Sequence, residues 1–321
     1  MFVLRRALWT IPVLLVCVTL LFCLMQAIGG SSLRHGPPLG LSNEAWVKYG
    51  DPKPEAITRN MRRRLGLDAP WYEQYGRYLR SLARLDFGAT ATFPGRSVNS
   101  ILREQGPITL ELVALALGWV VVIGVPLGVA AGVWRGSLLD RATTAVTALM
   151  AAIPIFLLAT VLIWLLSVKL GLLPTSGWHG WRSWLLPSLV LALLPLAHVT
   201  RVLRFEMLEV GGRDHVLAAR AKGLRRRRVV GTHVLRPASV PVLSMAGPLL
   251  GQLVLGLFLV EWIFGIPGVG RYFIAAAEAR DDPLTLGLTV VLTTAILVVN
   301  VLSDIALAAV DPRIREASAR T

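Results

Sequence analysis

Six stretches of the chain, 8–28, 108–134, 142–168, 184–200, 241–264 and 284–309, are apolar and nearly free of charge. Each approaches or exceeds the ~20 helical residues needed to cross a hydrocarbon core. Only helices or closed barrels satisfy every backbone group in lipid, and these continuous Leu/Val/Ala runs lack the alternation of a barrel strand. The pattern therefore predicts an all-α, polytopic membrane protein with six transmembrane helices. The fourth run is the weakest, because Pro187 and Pro195 interrupt it.

The polar segment after the first run, 29–107, is too long for a bare loop and carries helical signals of its own. Pro54 can open a helix that reaches about Leu65 and stops near Gly66. After Pro70, the residues Tyr75, Tyr78, Leu79, Leu82 and Leu85 recur at helical spacing, with Gly88 as a stop. A third short helix, 97–105, is ended by Gly106 and Pro107. Two helix-plus-breaker units in succession favour a packed extracytoplasmic cap over an amphipathic segment lying on the bilayer. The resulting domain plan is a tail and first helix at 1–28, a cap loop at 29–107, a five-helix core at 108–310 that includes a cytoplasmic loop at 201–240, and a cytoplasmic tail at 311–321.

A net charge of +14 would point to nucleic acid in a soluble chain, but here it falls mainly in loops. Arg5 and Arg6 precede the first run, Arg135 and Arg141 separate the second from the third, and ten Lys/Arg fall from Arg201 to Arg236. Arg313, Arg315 and Arg320 follow the last run. The short loops on the opposite face hold little beyond Lys169 with Arg182 and Arg271 with Arg280, so the positive-inside rule places both termini in the cytoplasm. The basic segment 29–107 opposes this assignment, but it is long enough that the rule has little force there. Topology and anionic-lipid contact account for the basic residues without a nucleic-acid partner. The first run is about 21 residues, longer than the 7–15 of a signal-peptide core, which predicts a retained anchor despite the small residues Ala27 and Gly29. Cys17 and Cys23 sit six apart on it, about 600° around a helix, and point to different sides.

The cytoplasmic loop has the most informative local pattern. Gly211 and Gly212 break the helix leaving the membrane, Asp214 is placed to cap a new one, and 215–222 make about two turns before Gly223. Ala218, Ala219 and Ala221 permit close approach of another surface, while Val216, Leu217 and Leu224 supply apolar contact; a further helix over 224–236 stops before Pro237. Helices this short are marginal in water. Either a groove of a partner protein or the cytoplasmic ends of the spans must hold this one.

Polar groups inside the apolar runs are few: Glu111, Glu261, His198, and the pair Asn300 and Asp304, which are four residues apart on one helix face. A single membrane Asp offers no carboxylate dyad, no Ser/His pair has an evident setting, and no His/Cys spacing suits a metal. Asn300 and Asp304 read as interhelical hydrogen bonding, with a pathway role as the second reading. No phosphate-binding Gly-x-x-x-x-Gly-Lys-Ser/Thr run occurs, so the chain binds no nucleotide cofactor of its own. An intramembrane enzyme would need paired polar groups that this short list does not supply, and a plain membrane scaffold without a transport role would leave the short cytoplasmic helix and the glycine-rich turn after Glu261 unexplained.

The run 214–224 (DHVLAARAKGL), followed by 236–241 (RPASVP), resembles the EAA-type cytoplasmic loop of ABC importer permeases. The stretches 136–141 (GSLLDR), 173–177 (LPTSG), 261–271 (EWIFGIPGVGR) and 311–315 (DPRIR) extend the likeness over nearly the whole chain. It looks most like the B-type permease subunit of dipeptide, oligopeptide and nickel importers, with His215 standing at a position that is Tyr-like in the family and an unusually basic run from Arg225 to Arg228. The resemblance implies a type I importer permease in the bacterial cytoplasmic (inner) membrane that forms half of a translocation pathway for peptides or similar solutes. It implies a coupling helix, comprising Asp214, His215, Val216, Leu217, Ala218, Ala219, Ala221, Lys222, Gly223 and Leu224, which docks on a cytoplasmic ATPase. Its expected partners are a second, related permease in a heterodimer, two ATP-binding cassette subunits that use the ATP, and an extracytoplasmic solute-binding protein. That protein would meet the outer turn carrying Glu261, Phe264, Pro267, Gly268, Gly270 and Arg271. Pro154, and Gly124 with Pro126, are expected to serve as bends along the pathway or as packing devices.

Overall fold

The computed structural model describes residues 2–27, 69–90, 92–93 and 95–310. The expected helix at 54–65 and the tail at 311–321 lie outside them. Helices dominate: α1 (Phe2–Ala27), α2 (Trp71–Ala83), α3 (Val98–Trp119), α4 (Val125–Val133), α5 (Leu138–Ala152), α6 (Ile155–Leu162), α7 (Trp181–Gly211), α8 (Asp214–Ala221), α9 (Arg236–Ser244), α10 (Ala246–Ile263), α11 (Val269–Ala279) and α12 (Asp282–Val310). π-helical turns at Val120–Gly124, Ile163–Lys169 and Val229–Leu235 join α3 to α4, extend α6, and lead into α9. Among the described residues, five helices are long and apolar enough to span a membrane, and α5 with the α6 segment adds a sixth if that bent pair is one span.

The chain divides into two compact units. Of the described residues, those within Met1–Leu8, Ile108–Pro267 and Ala295–Thr321 form one, and those within Trp9–Pro107 and Gly268–Thr294 form the other.

In the first unit α7 is the central element, packed by α4, α5, α9 and α10. Its Leu186, Leu191 and Leu196 are buried in one apolar cluster with Leu112, Leu253 and Leu257 of neighbouring helices. The run that looked weakest is thus a continuous helix of 31 residues with Pro187 and Pro195 both inside it and both buried. Enclosure on all sides holds it together, since neighbouring helices and local adjustments re-satisfy what each proline removes. The expected third span is in contrast broken: α5 and α6 meet at 111°. Ile153 precedes a proline, is pushed out of helical geometry (φ −93°, ψ 130°) and ends α5; Pro154 then leads into α6.

Two further helix ends differ from expectation. Helix α3 runs through Gly106 and Pro107 instead of stopping there, because the apolar run behind Pro107 carries the helix onward. The cytoplasmic helix expected to end before Pro237 continues from the π turn into α9, with Pro237 at the junction where the helix changes from π to α winding. The break comes instead at Met245, and α10 follows.

The second unit is held by two kinds of contact. Phe22 of α1 lies 5.2 Å from the Tyr75 ring and stacks on Tyr78, while the Thr19 and Tyr75 hydroxyls share a hydrogen bond of 2.5 Å. Val98, Ile101, Val269, Ala276, Leu284 and Leu288 form its apolar cluster. At the start of α12, fully buried Asp281 accepts from the Thr90 hydroxyl (2.5 Å), Thr92 N–H (2.8 Å) and Leu284 N–H (3.2 Å). One carboxylate thus caps α12 and pins the loop around Thr90.

Candidate functional site

Helix α8 follows α7 after Gly212 and Arg213. Arg213, not Asp214, is its cap residue (φ −74°, ψ 150°), and it makes no side-chain capping bond. Asp214 falls instead in the first turn, where its carboxylate faces the positive end of the helix dipole. The other end is built as expected. Gly223 takes a left-handed φ of +73°, its N–H donates to Arg220 O at 2.9 Å, and Leu224 N–H reaches back to Ala219 O at 3.4 Å. This is the Schellman arrangement, which stops a helix sharply by satisfying its last carbonyls.

The two sides of α8 have different fates. Val216 (0% exposed) and Ala219 (5%) pack into a cluster with Leu203, Met207, Val210, Val229, Val234 and Ala238, so the ends of the spans hold the helix in place. Leu224 joins that cluster from the helix end. Asp214, Leu217, Ala218 and Ala221 recur at 3–4-residue spacing on the opposite side and are exposed, Leu217 at 50%. His215, Lys222 and Gly223 are exposed as well, with His215 Nε2 3.3 Å from His233 O. The two alternatives left open by the sequence correspond to two faces of one helix: one packed, the other bare, with Leu217, Ala218 and Ala221 beside the carboxylate of Asp214.

Helix α8 rests on the π turn Val229–Leu235 and on the end of α7, and α7 in turn is seated closely along α4 at a shared seam. Gly124, Gly128 and Gly132 recur every four residues along it. A Cβ at Gly128 would lie 2.9 Å from Thr200 O and 3.0 Å from Leu203 Cβ; one at Gly132 would lie 2.5 Å from Met207 Cβ. Thr200 Oγ1 donates to Gly124 O across the seam at 3.0 Å. The helices touch backbone to backbone, as small residues allow in membranes. Asp140, 4% exposed near the start of α5, then clamps the connecting loop to α7. It accepts Gly136 N–H (2.9 Å) and two N–H groups of Arg204, Nη2 at 3.1 Å and the shorter contact from Nε. Sequence reading missed Gly128, Gly132 and this ion pair. The four-residue glycine spacing was a usable signal, whereas nothing in the sequence couples Asp140 to a residue 64 positions away.

The outer turn is also a Schellman ending. Gly265 has φ +60°, its N–H donates to Trp262 O, and Ile266 N–H returns to Glu261 O at 2.9 Å. Glu261 and Phe264 are buried; Thr109 Oγ1 donates to Glu261 Oε1 at 2.7 Å, and Gly177 N–H donates to Phe264 O at 2.8 Å. Gly268 starts α11 as its cap residue, Gly268 and Gly270 are buried, Pro267 is half-buried, and Arg271 is exposed. Most of the expected contact residues shape the turn from within, and Arg271 is the one presented outward.

Asn300 and Asp304 lie on α12, both half-buried. A Cβ at Gly247 of α10 would overlap the Asn300 carboxamide, so that glycine exists to admit it. Asn300 therefore packs helix against helix. Pro154 is the bend and Gly124 the packing device of the two expected along this part of the chain.

Residues 124–316 match the family model described as binding-protein-dependent transport system inner membrane component. The chain is 35% identical over 302 residues to the dipeptide transport system permease protein DppB of Bacillus subtilis, covering 94% of each. It is 32% identical over 316 residues to the oligopeptide transport system permease protein OppB of Haemophilus influenzae, covering 98% of this chain and 99% of the relative. Among solved structures, an inward-facing MetNI methionine ABC transporter matches with a TM-score of 0.50 at 19% identity, over 66% of this chain and 96% of that one. That likeness is one of fold.

Proposed function

The chain belongs to the binding-protein-dependent transport system inner membrane component family, and from that premise we propose that it forms half of a peptide pathway driven through α8. It is a multi-pass permease subunit of an ABC importer, not an enzyme, and such a subunit works with ATPase and permease partners. The finer reading is that a second, related permease completes the pathway as a heterodimer and that two ATP-binding cassette subunits dock, one on each coupling helix. A solute-binding protein delivers cargo at the outer face, with the segment 29–107 and exposed Arg271 as its contacts. Peptides are the substrate class to expect, since the relatives named above are dipeptide and oligopeptide permeases.

One observation carries the docking assignment: α8 is packed onto its own chain through Val216 and Ala219, while Asp214, Leu217, Ala218 and Ala221 form a bare face. A helix so short would not persist without its packed side, and the free side has the small residues that let an ATPase surface approach closely. ATP binding draws the ATPases together, and the movement of α8 biases the spans between two arrangements. The test is to purify the tagged chain with its native partners and compare Ala218→Arg with wild type. The variant places a large charged group on the bare face and leaves the packed face intact. It should lose the co-purified ATPase while keeping the partner permease and its own unfolding midpoint. Retention of the ATPase, with unchanged hydrolysis, would sink the assignment.

A further inference from the structure

On the cytoplasmic side of the first unit, the ends of α4 and α7, the helix α8 and the π turn beginning at Val229 enclose an open cleft of about 640 Å³. Arg135, Arg220 and Arg226 line it, and no acidic side chain does. Glu209, on the same stretch of α7, is engaged by Arg213 at 2.6 Å. Arg220 and Arg226 form no salt bridge among the described residues; Arg226 Nη2 makes one long contact, 3.4 Å, to Val133 O at the end of α4. The rest of the wall is largely apolar, with Val133, Met207, Leu208, Val229 and Val230. Trp134, 52% exposed, follows Val133 directly at the end of the span, the position of an interfacial aromatic.

We propose that this cleft binds the phosphate of an anionic phospholipid from the cytoplasmic leaflet, with the glycerol and upper acyl chains against the apolar wall. Three arginines line the cleft with no acidic residue among its lining, the Asp140 carboxylate that feels Arg135 being held by Arg204, and guanidinium matches phosphate oxygens in a fork. A soluble anion would need only the arginines. The apolar remainder, the volume, and the position at the end of a span favour an amphiphile whose headgroup already lies at that depth. The cleft is lined by α8 as well as by α4 and α7, so a bound lipid bridges α8 to the inner ends of those two spans. Docking uses the opposite, bare face of α8, so the lipid assignment stands or falls independently of it.

The test uses the full-length chain in mild detergent, titrated with phosphatidylglycerol or phosphatidylcholine and read by native mass spectrometry. Two double variants remove the same charge. Arg220→Gln with Arg226→Gln removes two of the three cleft arginines, while Arg227→Gln with Arg228→Gln alters exposed arginines that do not line it. Wild type should retain phosphatidylglycerol in preference to phosphatidylcholine. At roughly 5-fold per arginine, the cleft pair should weaken that binding about 25-fold. The control pair should stay within about 2-fold. Arg135→Gln alone provides a second route should the cleft pair unfold, with an expected loss of about 5-fold. Equal losses in both double variants would mean diffuse charge and overturn the site. Full displacement of the lipid by millimolar inorganic phosphate would assign the cleft to a free anion and overturn the lipid.

Discussion

Replacing Gly128 with alanine places one methyl group between α4 and α7, and the structure sets what that does. The new carbon would sit 2.9 Å from Thr200 O and 3.0 Å from Leu203 Cβ. The first of these is backbone and cannot rotate away. Restoring ordinary contact at about 3.5–4.0 Å opens the seam by about 0.5–1 Å, over which each crossing atom pair loses a quarter to a half of its 0.1–0.2 kcal/mol. For roughly 40 such pairs the loss is about 2 kcal/mol. The Thr200 to Gly124 hydrogen bond across the same seam is worth about 0.6 kcal/mol more. Against this, alanine in a helix interior is favoured over glycine by about 0.5–1 kcal/mol. The net cost is therefore about 1.5–2 kcal/mol. Gly118 supplies the control, because it lies in α3 of the same continuous span and nothing stands within 4 Å of where its added methyl would sit. Gly118→Ala should stabilise by the propensity term alone. The two variants should differ by about 2–3 kcal/mol, roughly 30- to 150-fold in the unfolding equilibrium. Unfolding of the full-length chain by sodium dodecyl sulfate in mixed micelles, followed by circular dichroism, measures that difference. If both alanines shift the midpoint alike, within about 0.5 kcal/mol, the helices are not in backbone contact and the argument fails.

Two other perturbations act on the same region. Asp140→Asn removes the charge that Arg204 faces and weakens the hold on Gly136 N–H; stranding a largely buried arginine costs about 3–5 kcal/mol, and it should show as a lower unfolding midpoint and a marked loss of transport, with Asp140→Glu recovering part of both. Gly223→Val forces a β-branched residue to φ +73°, at a cost of about 1–2 kcal/mol. Since the end of α8 is where the cost falls, ATPase co-purification should drop further than the midpoint does, whereas equal behaviour with wild type in both measurements would remove the Schellman ending from the mechanism.

The span pattern, the cytoplasmic helix and both glycine-terminated turns were legible in the sequence because each rests on local chemistry: apolar run length, or a glycine where the chain must turn left-handed. Proline was the poorer guide. It broke the chain at Pro154, where the preceding Ile153 became extended, but not at Pro187 or Pro195, where surrounding helices enclose α7, nor at Pro107 or Pro237. Whether a proline breaks a membrane helix depends on what packs around it, which is tertiary information. The cap of α8 is a smaller case: residue type pointed to Asp214, but Arg213, directly after the glycine pair, took the extended conformation. The Asp140 to Arg204 pair and the fit of Asn300 onto Gly247 were hidden for a related reason, since each joins residues distant in the chain.

Helix α7 has a mechanical consequence. Its 31 residues form a rod about 46 Å long, followed at its inner end by α8 and preceded at its outer end by Gly180. A rod of that length behaves as a lever. A tilt of about 10° about one end carries the other through roughly 8 Å, far more than side chains can absorb by changing rotamer. Under the docking proposed above, work delivered at α8 would be felt outside as rotation of a continuous arm and not as compression of a spring, whereas α5 and α6, bent by 111° at Pro154, provide no such rod.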